Sequence, residues 1–236
     1  MSSTPTPTVQ ICRTCGGGAP VDVHFCPQCT KILTLGRQGD YFSFLGVPRK
    51  LNLDVADLEQ RFRALSRQFH PDYFYNSSPA ERRASLERSS YLNDAYRTLR
   101  QPIPRLEYLL SLEGMDRRRS ERTDVATEPD NKVPPALLEE VFALNEELDA
   151  VRELRASGAP AEDWKGRLQT AREALEGKRA EHEAQLEELF AKWDDAVDRG
   201  AGEADRRQVL HALRERMLER NYIHNLLAGI ERELSL

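Results

Sequence analysis

The chain has 236 residues, of which 39% are hydrophobic and 31% charged, and its formal net charge is −5. This length allows two small domains and a shorter segment, and the acidic balance argues against a partner that is a nucleic acid. No apolar run approaches the length that spans a bilayer, and residues 1–10 lack both the apolar core of a signal peptide and the arginines of a transit peptide. We therefore expect a cytoplasmic protein with no membrane partner.

All four cysteines lie near the amino terminus, as two Cys-x-x-Cys pairs with ten residues between them. Such pairs suit a tetrahedral thiolate site, because each pair folds two sulfurs and several backbone N–H groups around one ion. We predict a metal-binding segment over 1–39, with structural Zn as the favoured ion. Its ligands would be Cys12, Cys15, Cys26 and Cys29.

Two alternatives remain open for these cysteines: iron held by the thiolates, or disulfide and redox chemistry. A redox Cys-x-x-Cys opens a helix in a thioredoxin-like domain, and such a domain does not fit within 39 residues. His24 lies nearby, but four thiolates already close the site. Three basic residues and one acidic residue in this segment are too few to follow a phosphate backbone.

Two predicted helices flank the tripeptide His70-Pro71-Asp72 in the segment 40–114. Asp54 is the predicted N-cap of the first helix, and an apolar stripe follows at helical spacing. The stripe comprises Leu58, Phe62, Leu65 and Phe69, and Arg61, Arg63 and Arg67 lie at its edge or on the opposite side. Ser78-Pro79 with Glu81 supplies a capping box for the second helix. Because proline keeps the preceding residue out of a helix, we expect the tripeptide on a loop between two antiparallel helices.

The carboxyl-terminal half is much more acidic than this segment. Residues 40–114 carry 11 basic and 10 acidic side chains, whereas residues 134–236 carry 15 and 23. Residues 115–133 have no apolar period and are predicted to be a linker that ends at Pro134 and Pro135. Three apolar stripes then predict a three-helix bundle over 134–236. The stripes comprise Leu137, Val141, Leu144, Leu148 and Val151; Trp164 to Trp193; and Val209, Leu213, Met217 and Leu227.

The first helix of this bundle carries a second, smaller stripe. Leu138 and Phe142 project about 100° away from the first stripe, among acidic residues. Either the helix is buried on two sides, or it offers a partner an apolar patch with an acidic rim.

Taken together, these motifs resemble the HscB family, the J-proteins of iron–sulfur cluster assembly. The residues that carry the resemblance are Asp40-Tyr41-Phe42, Leu45-Gly46, His70-Pro71-Asp72, Leu92-Asn93-Asp94-Ala95-Tyr96, Leu99, Arg105 and Glu107-Tyr108-Leu109-Leu110. The resemblance implies an all-α fold, in which a J-domain helical hairpin over 40–114 precedes the three-helix bundle. Some relatives have a similar four-cysteine extension and others lack it.

The resemblance implies a co-chaperone and not an enzyme. It would stimulate the ATPase of a DnaK/HscA-type chaperone, and the chain itself has no phosphate-binding Gly-x-x-x-x-Gly-Lys-Ser/Thr loop. The implied ATPase-binding residues are His70, Pro71, Asp72, Arg67, Arg63 and Arg61. One departure from the family is Tyr73, where a basic residue is usual.

The second implied partner is the scaffold protein that carries the nascent iron–sulfur cluster. The positions that match scaffold-contacting sites are Leu138, Phe142, Glu146 and Tyr222. Glu139 stands where an apolar residue is common, and Ala143 and Ala150 replace acids, so the patch should be less acidic than in the family. The alternative function is that of a general J-protein, which delivers unfolded clients.

Overall fold

A computed structural model describes residues 9–21, 23–35, 39–115 and 137–235. The chain divides into two compact units, Met1–Leu109 and Leu110–Leu236. The predicted linker from residue 116 onward, with Pro134 and Pro135, lies outside the described residues. The predicted domain boundaries after residues 39, 114 and 133 stay predictions.

The amino-terminal segment contains a small β-hairpin that the sequence analysis did not predict. Strand β1 (Val9–Ile11) pairs antiparallel with β2 (Gly18–Pro20), with Gln10 opposite Ala19. The strands are only three residues each, too short for an alternating pattern to stand out from the sequence. A small core beside the hairpin is formed by Ala19, Cys12, Cys26 and Leu33.

Capping side chains mark the starts of two of the helices that precede residue 113. The helices up to residue 112 are α1 (Tyr41–Leu45), α2 (Val55–Phe69), α3 (Pro79–Arg100) and α4 (Pro102–Leu112), and a 3-10 turn covers Pro71–Phe74. The Asp54 carboxylate accepts hydrogen bonds from the first turn of α2, and Ser78 and Glu81 form the reciprocal capping box of α3. Both predicted helix starts are therefore confirmed.

Helices α2 and α3 form the predicted hairpin by packing one apolar face each. Leu58 and Phe69 of α2 are fully buried, and the Phe62 ring stacks on Tyr96 of α3 with 4.3 Å between the ring centroids. Such a stacked pair adds about 0.5–1.5 kcal/mol to the burial of its area. The hairpin thus fixes the two ends of the connection that carries His70.

The second unit is the predicted three-helix bundle. Its helices are α5 (Leu138–Ala156), α6 (Ala161–Asp198) and α7 (Glu203–Leu234). The predicted stripe of α5 is buried at Leu137, Val141, Leu144 and Val151, with Leu148 half-buried. In α7, Val209 was predicted to belong to the apolar stripe but is only half-buried, whereas Leu210 is buried. The buried positions Leu210, Leu213 and Met217 follow steps of three and four, which leave Val209 at the side of the stripe.

One arginine joins the three helices at one end of the bundle. The Arg155 guanidinium lies 3.9 Å above the Trp164 ring and its Nη1 atom is 2.7 Å from a Glu233 carboxylate oxygen. It thereby connects the end of α5 to the start of α6 and the end of α7. None of the helices in the described ranges is long and apolar enough to cross a membrane.

Candidate functional site

The tripeptide His70-Pro71-Asp72 lies at the start of an exposed connection, residues 70–77, which we call the trigger loop. His70 ends α2 with φ −57° and ψ 127°, because the following proline disfavours a helical conformation there. The backbone N–H of Asp72 donates to His70 Nδ1 over 3.3 Å. The side chains of His70 and Asp72 remain 52% and 86% exposed, so both are available to a partner.

Helix α3 holds the trigger loop at both ends. The carbonyl of Phe69, the residue before the loop, accepts hydrogen bonds from Ser85 Oγ at 2.6 Å and Ser89 Oγ at 2.9 Å. At the other end, Arg82 Nη1 donates to the carbonyl of Ser77 over 2.8 Å. These anchors limit how far the loop can move relative to the hairpin.

The three arginines predicted to guide the ATPase differ in their surroundings. Arg67 is exposed on the last turn of α2, close in sequence to the loop. Arg63 is also exposed and pairs with Glu59 one turn away, a contact worth only about 0.3–0.5 kcal/mol that a partner can replace. Arg61 donates to the carbonyl of Gly46 over 2.6 Å and so helps to cap the end of α1. Arg61 therefore has a structural role beside its predicted one.

The four predicted metal ligands come together in space. Their Sγ atoms all lie within 4.8 Å of one another, and the Cys12–Cys29 and Cys15–Cys26 Sγ distances are both 3.7 Å. A tetrahedron with Zn–S bonds of about 2.3 Å has edges of about 3.8 Å. The thiol geometry therefore fits one tetrahedral ion held by all four cysteines.

The two cysteine pairs have the same backbone fold, which we call the first knuckle (residues 12–17) and the second knuckle (residues 24–33). The N–H of Gly16 donates to the carbonyl of Cys12, and the N–H of Thr30 to that of Cys26, both over 2.8 Å. Gly16 and Thr30 have φ of +75° and +57°, and for the β-branched threonine this conformation is strained. Each knuckle therefore turns its two thiols toward one point.

Backbone N–H groups inside each knuckle stabilise thiolates. The N–H of Cys15 is the main cause that lowers the pKa of Cys12 from 9.0 to about 6. The N–H of Cys29 is likewise the main cause that lowers the pKa of Cys26. Burial and the neighbouring thiols instead raise the pKa of Cys29 to about 12, so the backbone favours the metal-binding thiolate form at Cys12 and Cys26 in particular.

The second stripe of α5 is exposed, so burial of this helix on two sides is excluded within the described residues, and the patch for a partner stays a prediction. Leu138 is 40% and Phe142 66% exposed, and Glu146 lies on the same face one turn later. We call these three residues the α5 patch. It is surrounded by the exposed residues Glu139, Asn145 and Asp149. Tyr222, the fourth predicted scaffold contact, is half-buried against the bundle core.

Sequence analysis missed one buried arginine that joins the second knuckle to α3. Arg88 is 2% exposed, and its Nε atom donates to the carbonyl of Leu33 over 2.6 Å. Its Nη1 atom lies 2.8 Å from His24 Nδ1, which places His24 outside the thiol cluster. One signal was available, since Arg88 lies four residues after Ala84 and three before Tyr91, within the apolar stripe of α3.

Comparison with solved structures shows the same architecture in HscB proteins. The crystal structure of the human co-chaperone protein HscB covers 96% of this chain and 100% of its own, with 25% sequence identity and a TM-score of 0.61. The chaperone HscB from Vibrio cholerae covers 82% of this chain and 96% of its own, with 28% identity and a TM-score of 0.50. No family model matches the chain.

These likenesses cover most of the chain and agree with the sequence motifs. The four cysteines that precede α1 in the sequence also lie close together, as the sequence analysis predicted. The chain therefore has the HscB-type fold, with four clustered cysteines in its amino-terminal segment.

Proposed function

We propose that this chain stimulates the ATPase of a DnaK/HscA-type chaperone through its trigger loop and delivers an iron–sulfur cluster scaffold protein bound at the α5 patch. The observation that carries the proposal is the trigger loop itself. Its His70 and Asp72 side chains are exposed while α3 holds both ends of the loop. These exposed side chains make their polar contacts with each other's residue within the loop, so their outer faces are available for a partner.

The basic end of α2 supports the ATPase half of the proposal. Arg67 and Arg63 are exposed on the helix that leads into the loop, and Arg67 makes no ion pair with any residue of the described ranges. Charged groups of this kind steer a transient encounter with an acidic surface. Since the sequence has no phosphate-binding loop, ATP hydrolysis belongs to the partner and not to this chain.

The α5 patch supports the scaffold half. Two large apolar side chains, Leu138 and Phe142, are exposed on one face of a helix whose other face is buried. An apolar centre with a polar rim is the usual anatomy of a specific protein interface, and here the rim is acidic. Such a patch suits one folded partner better than the many unfolded clients of a general J-protein, which need a longer apolar groove.

We further infer that the four cysteines hold one structural Zn²⁺. Four thiolates at the corners of a tetrahedron would complete the coordination of the zinc ion and leave no open position for catalysis. Elemental analysis of the purified protein should find one zinc per chain, with no thiol available to a disulfide reagent until the metal is removed. Iron in place of zinc, or freely titrating dithiols, would support the alternatives.

The decisive experiment for the trigger loop is single-turnover ATP hydrolysis by the cognate chaperone. The wild-type chain should raise the hydrolysis rate, and Asp72→Asn should abolish the increase because only the charge and acceptor capacity of the carboxylate change. Glu107→Gln, a similar change at an exposed residue of α4, is the control and should behave as wild type. The proposal is wrong if Asp72→Asn stimulates as well as the wild type.

A further inference from the structure

The second knuckle packs against the two helices that flank the trigger loop. Lys31, just after the second cysteine pair, places its Nζ atom 3.0 Å from a carboxylate oxygen of Glu81 in the first turn of α3. The ring of Phe25 lies 6.1 Å from that of Phe69, the last residue of α2. The knuckle therefore contacts the residue before the loop and the helix that begins after it.

Arg88 makes the most buried of these contacts. Besides the bonds to Leu33 and His24, its Nη2 atom donates to the carbonyl of Thr34 over 3.3 Å. Burial lowers the pKa of Arg88 to about 10, so the guanidinium is still charged at neutral pH. A buried charge is tolerated only where acceptors are held in place for it. Those acceptors come from the cysteine segment.

The position of these acceptors depends on the fold of the knuckle. The N–H of Leu33 donates to the carbonyl of His24 over 3.0 Å, and the N–H of Cys26 donates to the carbonyl of Lys31 over 2.9 Å. The core of the segment is very small and includes Cys12 and Cys26 themselves. A segment with so little core obtains its folding free energy from the bound metal.

His24 connects the second knuckle to the end of α2. Its ring meets the rings of Phe44 and Phe69 edge-on, with centroid distances of 4.8 and 4.9 Å. Phe69 is fully buried, and its carbonyl is the one held by Ser85 and Ser89. The next residue is His70. A continuous series of contacts thus runs from the thiols to the trigger loop.

We propose that the second knuckle is a metal-dependent brace for the trigger loop, in which Arg88 and His24 are positioning residues. Loss of the metal releases the carbonyls that Arg88 needs, and the last turn of α2 and the first turns of α3 lose their support. The bundle keeps its structure. This inference rests on the proposed function only for its consequence, which is weaker stimulation of the ATPase by the metal-free chain.

Hydrogen exchange on the full chain tests the brace without the ATPase. Metal is removed with a chelator under reducing conditions, and exchange is compared at amides of residues 66–85 and at those of α7. We expect roughly tenfold faster exchange at residues 66–85 after metal removal and no change in α7. Unchanged exchange at residues 66–85 in the metal-free chain overturns the proposal, and this measurement needs no variant.

Arg88→Met tests whether the effect passes through this residue. The variant keeps all four cysteines, so it should bind one metal, and yet residues 66–85 should exchange fast whether or not the metal is present. Arg83→Met, an exposed position on the same helix, is the matched control and should respond to metal as the wild type does. A metal-loaded Arg88→Met chain with wild-type exchange would contradict the proposal.

The ATPase assay then separates the two hypotheses. If the metal-loaded wild type fails to stimulate hydrolysis, the proposed function is wrong whatever the exchange data show. If it stimulates, metal removal should raise the concentration needed for half-maximal stimulation roughly tenfold, while scaffold binding at the α5 patch stays unchanged. Equal half-maximal concentrations with and without metal would contradict the brace alone.

Discussion

Replacing Phe142 with alanine should weaken scaffold binding without weakening the fold. Phe142 is 66% exposed, and a phenylalanine presents about 200 Å², so about 130 Å² is available for burial. At about 25 cal/mol per Å², full burial of that area contributes about 3 kcal/mol. Because alanine recovers little of it and interface burial is seldom complete, we expect a loss of about 2–3 kcal/mol, or roughly 30- to 150-fold in Kd.

Calorimetric titration of the purified scaffold protein into each variant measures this loss, and thermal unfolding of the variants measures stability. Phe142→Ala should change the free energy of unfolding by less than about 0.5 kcal/mol, because the ring is mostly in solvent. Leu86→Ala is the control, since Leu86 is 58% exposed but lies on α3 of the J-domain. The reasoning is refuted if a folded Phe142→Ala binds the scaffold as tightly as Leu86→Ala does. Competition by an unfolded client protein would instead favour the general J-protein.

Three further substitutions test stability, its pH dependence and metal binding. Arg105→Met removes a buried guanidinium that donates to the carbonyl of Leu99 over 2.6 Å. In urea titrations the variant should lose about 2–4 kcal/mol of the free energy of unfolding of the J-domain, and a loss below about 1 kcal/mol would contradict this. His182 is buried with its Nε2 atom 3.1 Å from Glu219, and burial lowers its pKa below 6.5. Between pH 7 and 5 the unfolded chain therefore binds a proton at His182 more readily than the folded chain does, so the free energy of unfolding should fall as the pH is lowered. It should fall less in His182→Leu, and an equal dependence on pH in the two chains would refute this. Thr30→Gly removes the strain at φ +57° and should tighten metal binding by about 1 kcal/mol in chelator competition, whereas weaker binding would argue against strain.

Local chemistry explains why much of the fold could be predicted. The N-caps at Asp54 and Ser78 require only the residues of the next turn, and both are found where the sequence predicts them. The long helix α6 passes through Gly177 without a break, because one glycine costs only about 1 kcal/mol and apolar burial at Leu175 and Leu186 exceeds that cost. The exposed α5 patch was one of two open interpretations, since periodicity gives the direction of a side chain but not what covers it.

The contacts that sequence analysis missed are non-local. Arg88 and the carbonyl of Leu33 are 55 residues apart, and an arginine on an apolar stripe gives no sign of which acceptors will cover it. His24 lies outside the thiol cluster, and its ring contacts with Phe44 and Phe69 follow from the position of the second knuckle on the helical hairpin, which the sequence does not reveal. Arg61 likewise bonds a carbonyl 15 residues earlier, so its structural role is not visible in the helix pattern alone.

If the two proposed partners bind where we infer, the uneven charge of the chain would help to keep them apart. Residues 40–114 carry 11 basic and 10 acidic side chains, and residues 134–236 carry 15 and 23. A basic helix face that attracts the acidic surface of an ATPase repels a basic surface, and the acidic rim of the α5 patch does the reverse. We therefore expect an acidic partner to prefer the basic face of α2 and a basic partner to prefer the α5 patch. Uniform charge along the chain would lose this discrimination, because both partners would then meet the same electrostatic potential at either surface.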